Sequence, residues 1–447
     1  MYKNTEHVLD ITDFTGDGSG IARLDGYAIF VPGGIPGDTL KVRIVKELKN
    51  YAFGKIIEII KPSQIRVAPR CEAHGKCGGC SMQAVSYEGQ LEFKRKKVQD
   101  AIQRIGGFEN VCVDTIISGK SACNYRNKAQ YPVASDGTEL YAGFYAPHSH
   151  RVVRADECML QDKRITEIVN AVTDWANKNG ISAYDEQTHR GILRHICVRA
   201  GKEEAILTIV TTSHIKYPET LTDMITERFP YVKGIVESIN KDVTNVIYGK
   251  KERILFGVPY IYDRIGEMKY KVHYKSFYQV NSQTTELLYQ KALEFASPDK
   301  NTSVFDLYCG TGTISLFLAS YAKKVIGIEI VPEAVADAKE NAVLNNIDNA
   351  EFYCGAAESV APKLIANGET ADIVVLDPPR KGCDDALIRA IGGMKPQKIV
   401  YVSCDCATMA RDAKKLSEYG YGIAKAVACD QFPYTAHVET VALLSQI

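Results

Sequence analysis

Four short apolar segments in the last third of the chain constrain the fold most. They lack the polar alternation of a half-exposed strand, and they are 303–308, 324–330, 371–376 and 398–403. Stretches with helical periodicity lie between or beside them, at 314–322, 332–346 and 384–392. Continuous apolar strands joined by helices are typical of a parallel sheet that is covered on both faces. The sequence therefore predicts an α/β domain from about residue 266 onward.

The rest of the chain divides into two further parts. At about 150 residues per domain, 447 residues correspond to about three domains. Residues 1–60 contain β-type runs separated by Gly- and Pro-rich turns, which indicates a small OB-like β-barrel. Residues 110–265 alternate strand-like and helical stretches, as a central α+β domain does. We predict domains at 1–62, 63–265 and 266–447, in a multidomain α/β protein with a Rossmann-like C-terminal domain.

Composition excludes several classes of protein. A hydrophobic content of 45% and a charged content of 24% match a globular chain and exclude a disordered one. No run of about 18 apolar residues is present, so we expect no membrane-spanning helix and no membrane partner. The polar segment Met1–His7 lacks the core of a signal peptide. We therefore expect a cytoplasmic protein, and a monomer.

The distribution of charge is uneven. Lys and Arg number 54, as do Asp and Glu, so the net charge is zero and identifies no partner. Residues 61–104 nevertheless carry a net charge of +5, centred on the run Lys94–Lys97 in a predicted helix over 87–105. Most Lys-rich helix faces are simply solvated, but a local basic patch also permits contact with phosphates.

Thirteen cysteines are many for a chain without a predicted signal peptide. Their odd number argues against secreted disulfides and leaves metal ligation and thiol catalysis, with ordinary buried thiols as the alternative for most. Three thiols lie in a Gly-rich loop: Cys71, Cys77 and Cys80. Such a loop can wrap around a metal or cluster, with a fourth ligand from Cys112, Cys123 or Cys158. The spacing leaves both zinc and an iron–sulfur cluster open.

A glycine-containing loop follows the first apolar segment. In Asp306–Thr313, Gly310 and Gly312 allow a ligand to approach the backbone N–H groups at the start of a helix. Glu329 ends the next strand, 19 residues after Gly310, where a carboxylate can accept both ribose hydroxyls. The loop lacks the third glycine of the dinucleotide fingerprint, which favours S-adenosylmethionine over NAD.

Two further strand ends carry reactive side chains. Asp377 precedes two prolines after one strand, and Cys404 follows Ser403 at the end of another. Glu439 is the only acidic residue among the last 17 and starts a strand-like run. A thiolate that adds to C6 of uracil makes C5 nucleophilic toward a methyl group, and a base then removes the C5 proton. Cys404 and Glu439 suit these roles; a plain turn and a surface carboxylate are the alternatives for Asp377 and Glu439.

Taken together, the motifs resemble the RNA uracil-5-methyltransferase family that acts on 23S ribosomal RNA. They are the Cys triplet, Tyr125–Lys128, Phe277–Asn281, Asp306–Gly312, Asp377–Arg380, Ser403-Cys404 and His437–Glu439. Residues 1–60 resemble its RNA-binding TRAM domain through Gly18–Ala22 and Pro36-Gly37. The resemblance covers essentially the whole chain, with one departure: Asp405-Cys406 stands where the family commonly has Asn-Pro.

The resemblance implies a role for each motif residue. A [4Fe-4S] cluster would be held by Cys71, Cys77, Cys80 and Cys158, the last because of its Asp156-Glu-Cys158 context. S-adenosylmethionine would be contacted by Gln279, Tyr308, Glu329 and Asp377. Cys404 would be the nucleophile and Glu439 the base, and a uridine of ribosomal RNA would be flipped into the site.

Three other functions compete with this one. A transfer-RNA uracil-5-methyltransferase would use the same chemistry, but such relatives typically lack the barrel and the cluster. A small-molecule methyltransferase would leave the first 260 residues without a purpose. A catalytically silent RNA-binding iron–sulfur protein would not need both Cys404 and Glu439.

Overall fold

The computed structural model describes residues 3–447, so Met1 and Tyr2 of the predicted barrel lie outside the described residues. Six strands form the N-terminal sheet: β1 (Glu6–Asp10), β2 (Asp13–Phe14), β3 (Gly20–Leu24), β4 (Tyr27–Val31), β5 (Thr39–Glu47) and β6 (Tyr51–Lys61). Their order is β1-β5-β6-β4-β3-β2 around an apolar core that contains Leu9, Ile29 and Leu40. The predicted OB-like domain is confirmed.

A helical segment links this domain to the rest. It contains α1 (Tyr87–Asp100), a π-helical turn (Ala101–Gly106) and β7 (Ile116–Ser118). Ser86 caps α1, because its Oγ accepts a hydrogen bond from Gly89 N at 3.2 Å. The left-handed Gly107, with φ +78°, ends the helical turn.

The central sheet has seven strands and two helices. They are β8 (Lys128–Ser135), β9 (Leu140–Tyr145), β10 (Val152–Arg154), α2 (Lys163–Lys178), β11 (Leu193–Ala200), β12 (Ala205–Thr211), α3 (Pro218–Arg228), β13 (Val232–Ile239) and β14 (Lys251–Gly257). Ile168 and Val172 of α2 pack with Leu207 on one face. On β8 and β11, Lys128 pairs with Arg199. Arg199 Nη2 donates to Ser276 O at 2.6 Å, so this sheet contacts the C-terminal part directly.

The C-terminal part contains the remaining elements. They are β15 (Tyr260–Ile265), β16 (Met268–His273), α4 (Ser282–Ala296), β17 (Ser303–Leu307), α5 (Thr313–Ala319), β18 (Lys324–Glu329), α6 (Pro332–Leu344), β19 (Ala350–Cys354), α7 (Ala357–Ala366), β20 (Ile373–Leu376), α8 (Asp385–Met394), β21 (Lys398–Ser403), α9 (Cys406–Ser417), β22 (Tyr421–Asp430) and β23 (Glu439–Gln446). The sheet order is β19-β18-β17-β20-β21-β23-β22-β7. Strands β17 to β21 are parallel, and β23 runs antiparallel between β21 and β22. The predicted covered parallel sheet is confirmed.

The segment 87–118 packs against this C-terminal sheet. Strand β7 pairs with β22 in parallel, and Val98 and Ile102 share a core with Ile399. The division at residues 62 and 265 groups this segment with the central domain and stays a prediction. The longest helix among the described residues is α2, with 16 residues. No helix in residues 3–447 combines the length and the apolar character needed to cross a membrane.

Candidate active site

Four of the predicted site residues lie at one edge of the C-terminal sheet. Strands β17, β18, β20 and β21 run in parallel, so their carboxyl ends meet there. Tyr308, Asp377 and Cys404 directly follow β17, β20 and β21, and Glu329 ends β18. In a doubly wound sheet, ligands bind outside the carboxyl ends of the strands. The fold therefore brings together groups that lie almost 100 residues apart in the sequence.

The loop between β17 and α5 is tightly wound. Tyr308 has φ +79° and Gly312 has φ +80°, both in the left-handed region. A Cβ at Gly312 would lie 3.1 Å from the Ala338 Cβ, so a larger residue would push the loop away from α6. Gly310 N donates to Glu329 Oε2 at 3.1 Å, which joins the loop to the end of β18.

One cavity of about 1110 Å³ opens beside this loop. All four predicted cofactor residues line it: Gln279, Tyr308, Glu329 and Asp377. Tyr289 and Thr313 also line the wall and join their hydroxyl groups at 2.8 Å. The volume is sufficient for a ligand the size of a modified nucleoside.

Two carboxyl groups near this cavity have unusual acidity. Burial raises the pKa of Asp306 to about 7, with Glu329 adding to the effect. Removal from water and the charge of Asp306 likewise raise the pKa of Asp377 to about 7. A cation in the cavity would favour the ionised form of both groups and lower these pKa values. The electrostatics of the cavity therefore suit a positively charged ligand.

Cys404, which directly follows β21, lies beside Glu439, which begins β23. Ser403 of β21 pairs with Thr440 of β23. The two strands are antiparallel, so Cys404, which follows Ser403, lies opposite Glu439, which precedes Thr440. Burial, then the charges of Glu439 and Asp377, raise the pKa of Cys404 to about 11, and Arg380 opposes them. Glu439 is only 5% exposed, and burial followed by the charge of Asp377 raises its pKa to about 8.

Asp405 and Cys406, which depart from the family pattern, have structural roles. Asp405 caps α9, because its Oδ1 accepts hydrogen bonds from Ala407 N and Thr408 N, both at 3.0 Å. Cys406 is 3% exposed, and its Sγ lies 3.8 Å from Lys97 O. The second thiol therefore points into the core against α1, whereas Cys404 lies beside Glu439.

Comparison with known proteins decides the family. The family described as tRNA (uracil-5-)-methyltransferase matches residues 86–447, and the TRAM domain matches residues 2–57. This chain belongs to the tRNA (uracil-5-)-methyltransferase family. It is therefore an enzyme of the S-adenosylmethionine-dependent RNA uracil-5-methyltransferases, as its motifs predict.

Relatives in this family match the chain along its length. An uncharacterized RNA methyltransferase of Halalkalibacterium halodurans is 46% identical over 446 residues, covering 99% of this chain and 97% of its own. One from Clostridium tetani is 45% identical, with the same coverage of both chains. The solved tRNA (uracil-54, C5)-methyltransferase of Pyrococcus abyssi, in complex with S-adenosyl-L-homocysteine, is 30% identical. Its TM-score is 0.80, and the match covers 98% of this chain and all of that one.

The segment that carries Gln279 is fastened to the central sheet. Asn127 Nδ2 donates to Gln279 O and to Ser282 Oγ, both at 3.0 Å. Asn127 N donates to Val280 O at 2.8 Å. The sequence motif contains Asn127 but does not reveal this role, and no sequence pattern predicts the bond from Arg199 to Ser276. The signal for Asn127 was its place in the motif Tyr125–Lys128, and the signal for Arg199 was a charged side chain between Val198 and Ala200.

The basic run on α1 is used for internal contacts in this enzyme. Lys94 is fully buried and forms an ion pair with Asp430. Lys97 Nζ donates to Gly16 O of the TRAM domain at 2.7 Å and to Ala436 O at 2.9 Å. These lysines therefore fasten the TRAM domain and α1 to the segment before Glu439, and phosphate contact does not explain them.

The cysteine loop brings four predicted ligands into one neighbourhood. Burial, followed by the charges of Cys158, Cys77 and Cys71, raises the pKa of Cys80 to about 12. Cys112 lies elsewhere and donates to Asp114 at 2.8 Å. Within residues 3–447, no three His, Cys, Asp or Glu side chains have the arrangement of a metal site.

This loop also contacts the segment that leads to Glu439. Ser81 N and Met82 N donate to Tyr434 O at 3.1 and 3.0 Å. Ser81 Oγ accepts from Ala436 N at 3.1 Å. The fold therefore connects the cysteine loop to one side of the candidate active site.

Proposed function

We propose that the enzyme methylates C5 of a uridine in 23S ribosomal RNA, with Cys404 as nucleophile and Glu439 as base. The observation that carries this proposal is the pairing of Ser403 with Thr440, which supports a thiol and a carboxyl group side by side. The charge of Asp377 acts on both groups, and Asp377 lines the cavity together with the other predicted cofactor residues. A uridine must leave its stack to reach them and would be flipped out of its RNA context.

The reaction would proceed in three steps. The Cys404 thiolate forms a bond to C6, and the electron pair of the C5–C6 double bond moves toward O4. That pair next forms the bond from C5 to the methyl group, whose bond to sulfur breaks and leaves S-adenosylhomocysteine. Glu439 takes the proton from C5, the C5–C6 double bond forms again, and Cys404 leaves as a thiolate.

The charges of the site favour an order of binding. S-adenosylmethionine supplies the methyl group and a positive charge on its sulfur. Such a charge beside Asp377 would offset one of the carboxylates that, together with burial, raise the pKa of Cys404. The methyl donor would therefore bind before the thiol attacks, and Arg380 would support the thiolate from the other side.

Each predicted cofactor residue would contact a different part of the methyl donor. Glu329 would accept the ribose hydroxyls, and its carboxylate is oriented by Gly310 N and by Val331 N, the latter at 2.9 Å. Gln279, Tyr308 and Asp377 line the same cavity and would contact the rest of the molecule.

The RNA substrate has two candidates. The resemblance of the cysteine triplet and the TRAM domain supports ribosomal RNA. The Pyrococcus abyssi enzyme, which its name describes as acting on uracil-54 of tRNA, favours transfer RNA as the second candidate. Because that match covers 98% of this chain, the barrel alone does not separate the two substrates.

The test is a map of 5-methyluridine in both RNAs from a strain without the gene. We expect a position in 23S ribosomal RNA to lose its methyl group and to regain it when the wild-type gene is restored. The gene for Cys404→Ala serves as the matched control and should not restore it. Loss confined to transfer RNA would reject the ribosomal substrate.

We also propose that Cys71, Cys77, Cys80 and Cys158 hold a [4Fe-4S] cluster. Four thiols are the donor set that such a cluster uses, and a bound metal favours the thiolate form that the resting loop disfavours. The charges of Cys158, Cys77 and Cys71, after burial, act on Cys80, which supports a common site for the four thiols. A cluster here would order the loop.

Iron analysis of anaerobically purified protein tests this. We expect a brown protein with about four iron atoms per chain. Cys80→Ser should lose most of this iron. Cys112→Ser should keep it, because Cys112 is exposed and lies away from the loop. One zinc ion per chain in place of iron would reject the cluster.

A further inference from the structure

Gln431 is a fully buried glutamine between β22 and the strand of Glu439. Its main-chain oxygen accepts from Asn281 Nδ2 at 3.1 Å. Its side-chain Nε2 lies 2.8 Å from Thr285 Oγ1 and 3.4 Å from Gln279 Oε1. The residue therefore contacts the motif that carries Gln279 through both its main chain and its side chain.

The direction of these hydrogen bonds is determined by Thr285. Its hydroxyl group donates to Asn281 O at 2.8 Å, so its oxygen is left to accept from Gln431. Gln431 then has a second N–H to donate to Gln279 Oε1, while its own buried Oε1 has no partner among the described residues. If the Gln431 amide were turned over, its two N–H groups would be buried without a partner in the place of the oxygen. Two unpaired donors cost more free energy than one unpaired acceptor.

This arrangement fixes the side chain of Gln279. Its oxygen faces Gln431, and no residue in 3–447 accepts a hydrogen bond from its Nε2. Asn127 holds the main chain of Gln279 from the other side at 3.0 Å. Since Gln279 lines the cavity, its amide N–H groups are the part of the side chain that is left to contact a ligand.

We propose that Gln431 is a positioning residue that makes Gln279 a hydrogen-bond donor to the carboxylate of S-adenosylmethionine. This rests on the proposed contact between Gln279 and the methyl donor. Glu329 and Asp377, two of the other cofactor residues, are acceptors when ionised and cannot bind a carboxylate. An amide N–H beside a carboxylate gives a charge-assisted hydrogen bond, which is stronger than one between neutral groups.

Calorimetric titration with S-adenosylhomocysteine tests the proposal. Gln431→Met keeps the size of the side chain and removes both donors, so Gln279 can turn its oxygen toward the cavity. We expect about tenfold weaker binding of S-adenosylhomocysteine. Binding of the decarboxylated analogue should be unchanged, because it lacks the carboxylate. In a Gln279→Ala background, Gln431→Met should cause no further loss.

Gln431→Glu is a second variant that keeps the shape of the side chain. An ionised carboxylate cannot donate and would attract the Gln279 N–H groups away from the cavity. We expect a loss larger than that of Gln431→Met at high pH, with recovery as the pH falls and the introduced carboxyl gains a proton.

Three results would overturn the inference. Additive losses in the double variant would mean that Gln431 does not act through Gln279. If S-adenosylhomocysteine and its decarboxylated analogue lose the same amount of affinity, the carboxylate is not the group that Gln279 binds. If Gln431→Met leaves the affinity for S-adenosylhomocysteine unchanged but raises the KM for RNA, Gln279 contacts the uracil ring of the substrate and not the methyl donor. If Gln279→Ala alone binds S-adenosylhomocysteine normally, the proposed role of Gln279 fails first, which separates the two claims.

Discussion

The Cys404→Ala variant is expected to lose methyl transfer by about 10⁴-fold or more. Without the bond from sulfur to C6, C5 of uracil stays too weak a nucleophile to take the methyl group. Cys404 is not among the residues that line the cofactor cavity, so binding of S-adenosylhomocysteine should persist. Transfer of a labelled methyl group to RNA measures the first effect, and calorimetry the second.

Trapping with 5-fluorouridine RNA locates the nucleophile. Fluorine at C5 cannot leave as a proton, so the methylated adduct should remain joined to the wild-type protein on a denaturing gel. Cys406→Ala is the matched control, because its thiol lies two residues away and points toward Lys97 O. It should trap RNA normally. An adduct that survives Cys404→Ala, or is lost only in Cys406→Ala, would contradict the assignment.

The parallel sheet could be predicted because its strands are buried on both faces and therefore read as continuous apolar runs. Other elements had no comparable signal. Helix α7 contains Pro362, which normally indicates the end of a helix. Strand β7 has three residues and pairs with β22, more than 300 positions later in the chain. Pairing between such distant segments depends on the assembled fold.

The sequence allowed the individual site residues to be predicted, but not how they are arranged in space. Cys404 and Asp377 stand at strand ends and could be located from local patterns. Their relation to Glu439 depends on β23 running antiparallel beside β21, which no local pattern encodes. Gln431 lies after a strand with no motif around it, and its role follows only from the direction of the Thr285 hydroxyl bond.

The net charge of the 61–104 segment does not reveal how its lysines are used. From the sequence, a solvated helix face was the common interpretation, and contact with phosphates was also permitted. Instead, Lys94 is buried in an ion pair with Asp430, and removing one partner of such a pair leaves an uncompensated charge. Lys97 contacts two main-chain oxygens from different parts of the molecule. Counting charges cannot distinguish a solvated lysine from one that joins two elements.

The Glu439→Gln variant is expected to form the covalent adduct and then stall. The amide cannot take the C5 proton, so the C5–C6 double bond does not form again and Cys404 remains attached. We expect turnover to fall by about 10²- to 10⁴-fold, while a single methyl transfer proceeds. A rapid-quench assay should show a burst of methylated adduct on ordinary RNA. Glu418→Gln, at an exposed position after α9, should behave as the wild type.

The pH dependence distinguishes a base from a structural carboxyl group. Burial, with the charge of Asp377, raises the pKa of Glu439 to about 8. Proton abstraction needs the ionised form, so the release step should accelerate as the pH rises through about 8 and should slow as it falls. The positive charge of the methyl donor would move this midpoint lower in the complex. Glu439→Gln should abolish this dependence of release on pH. Normal turnover in that variant, or the same pH profile of release as in the wild type, would mean that another group takes the proton.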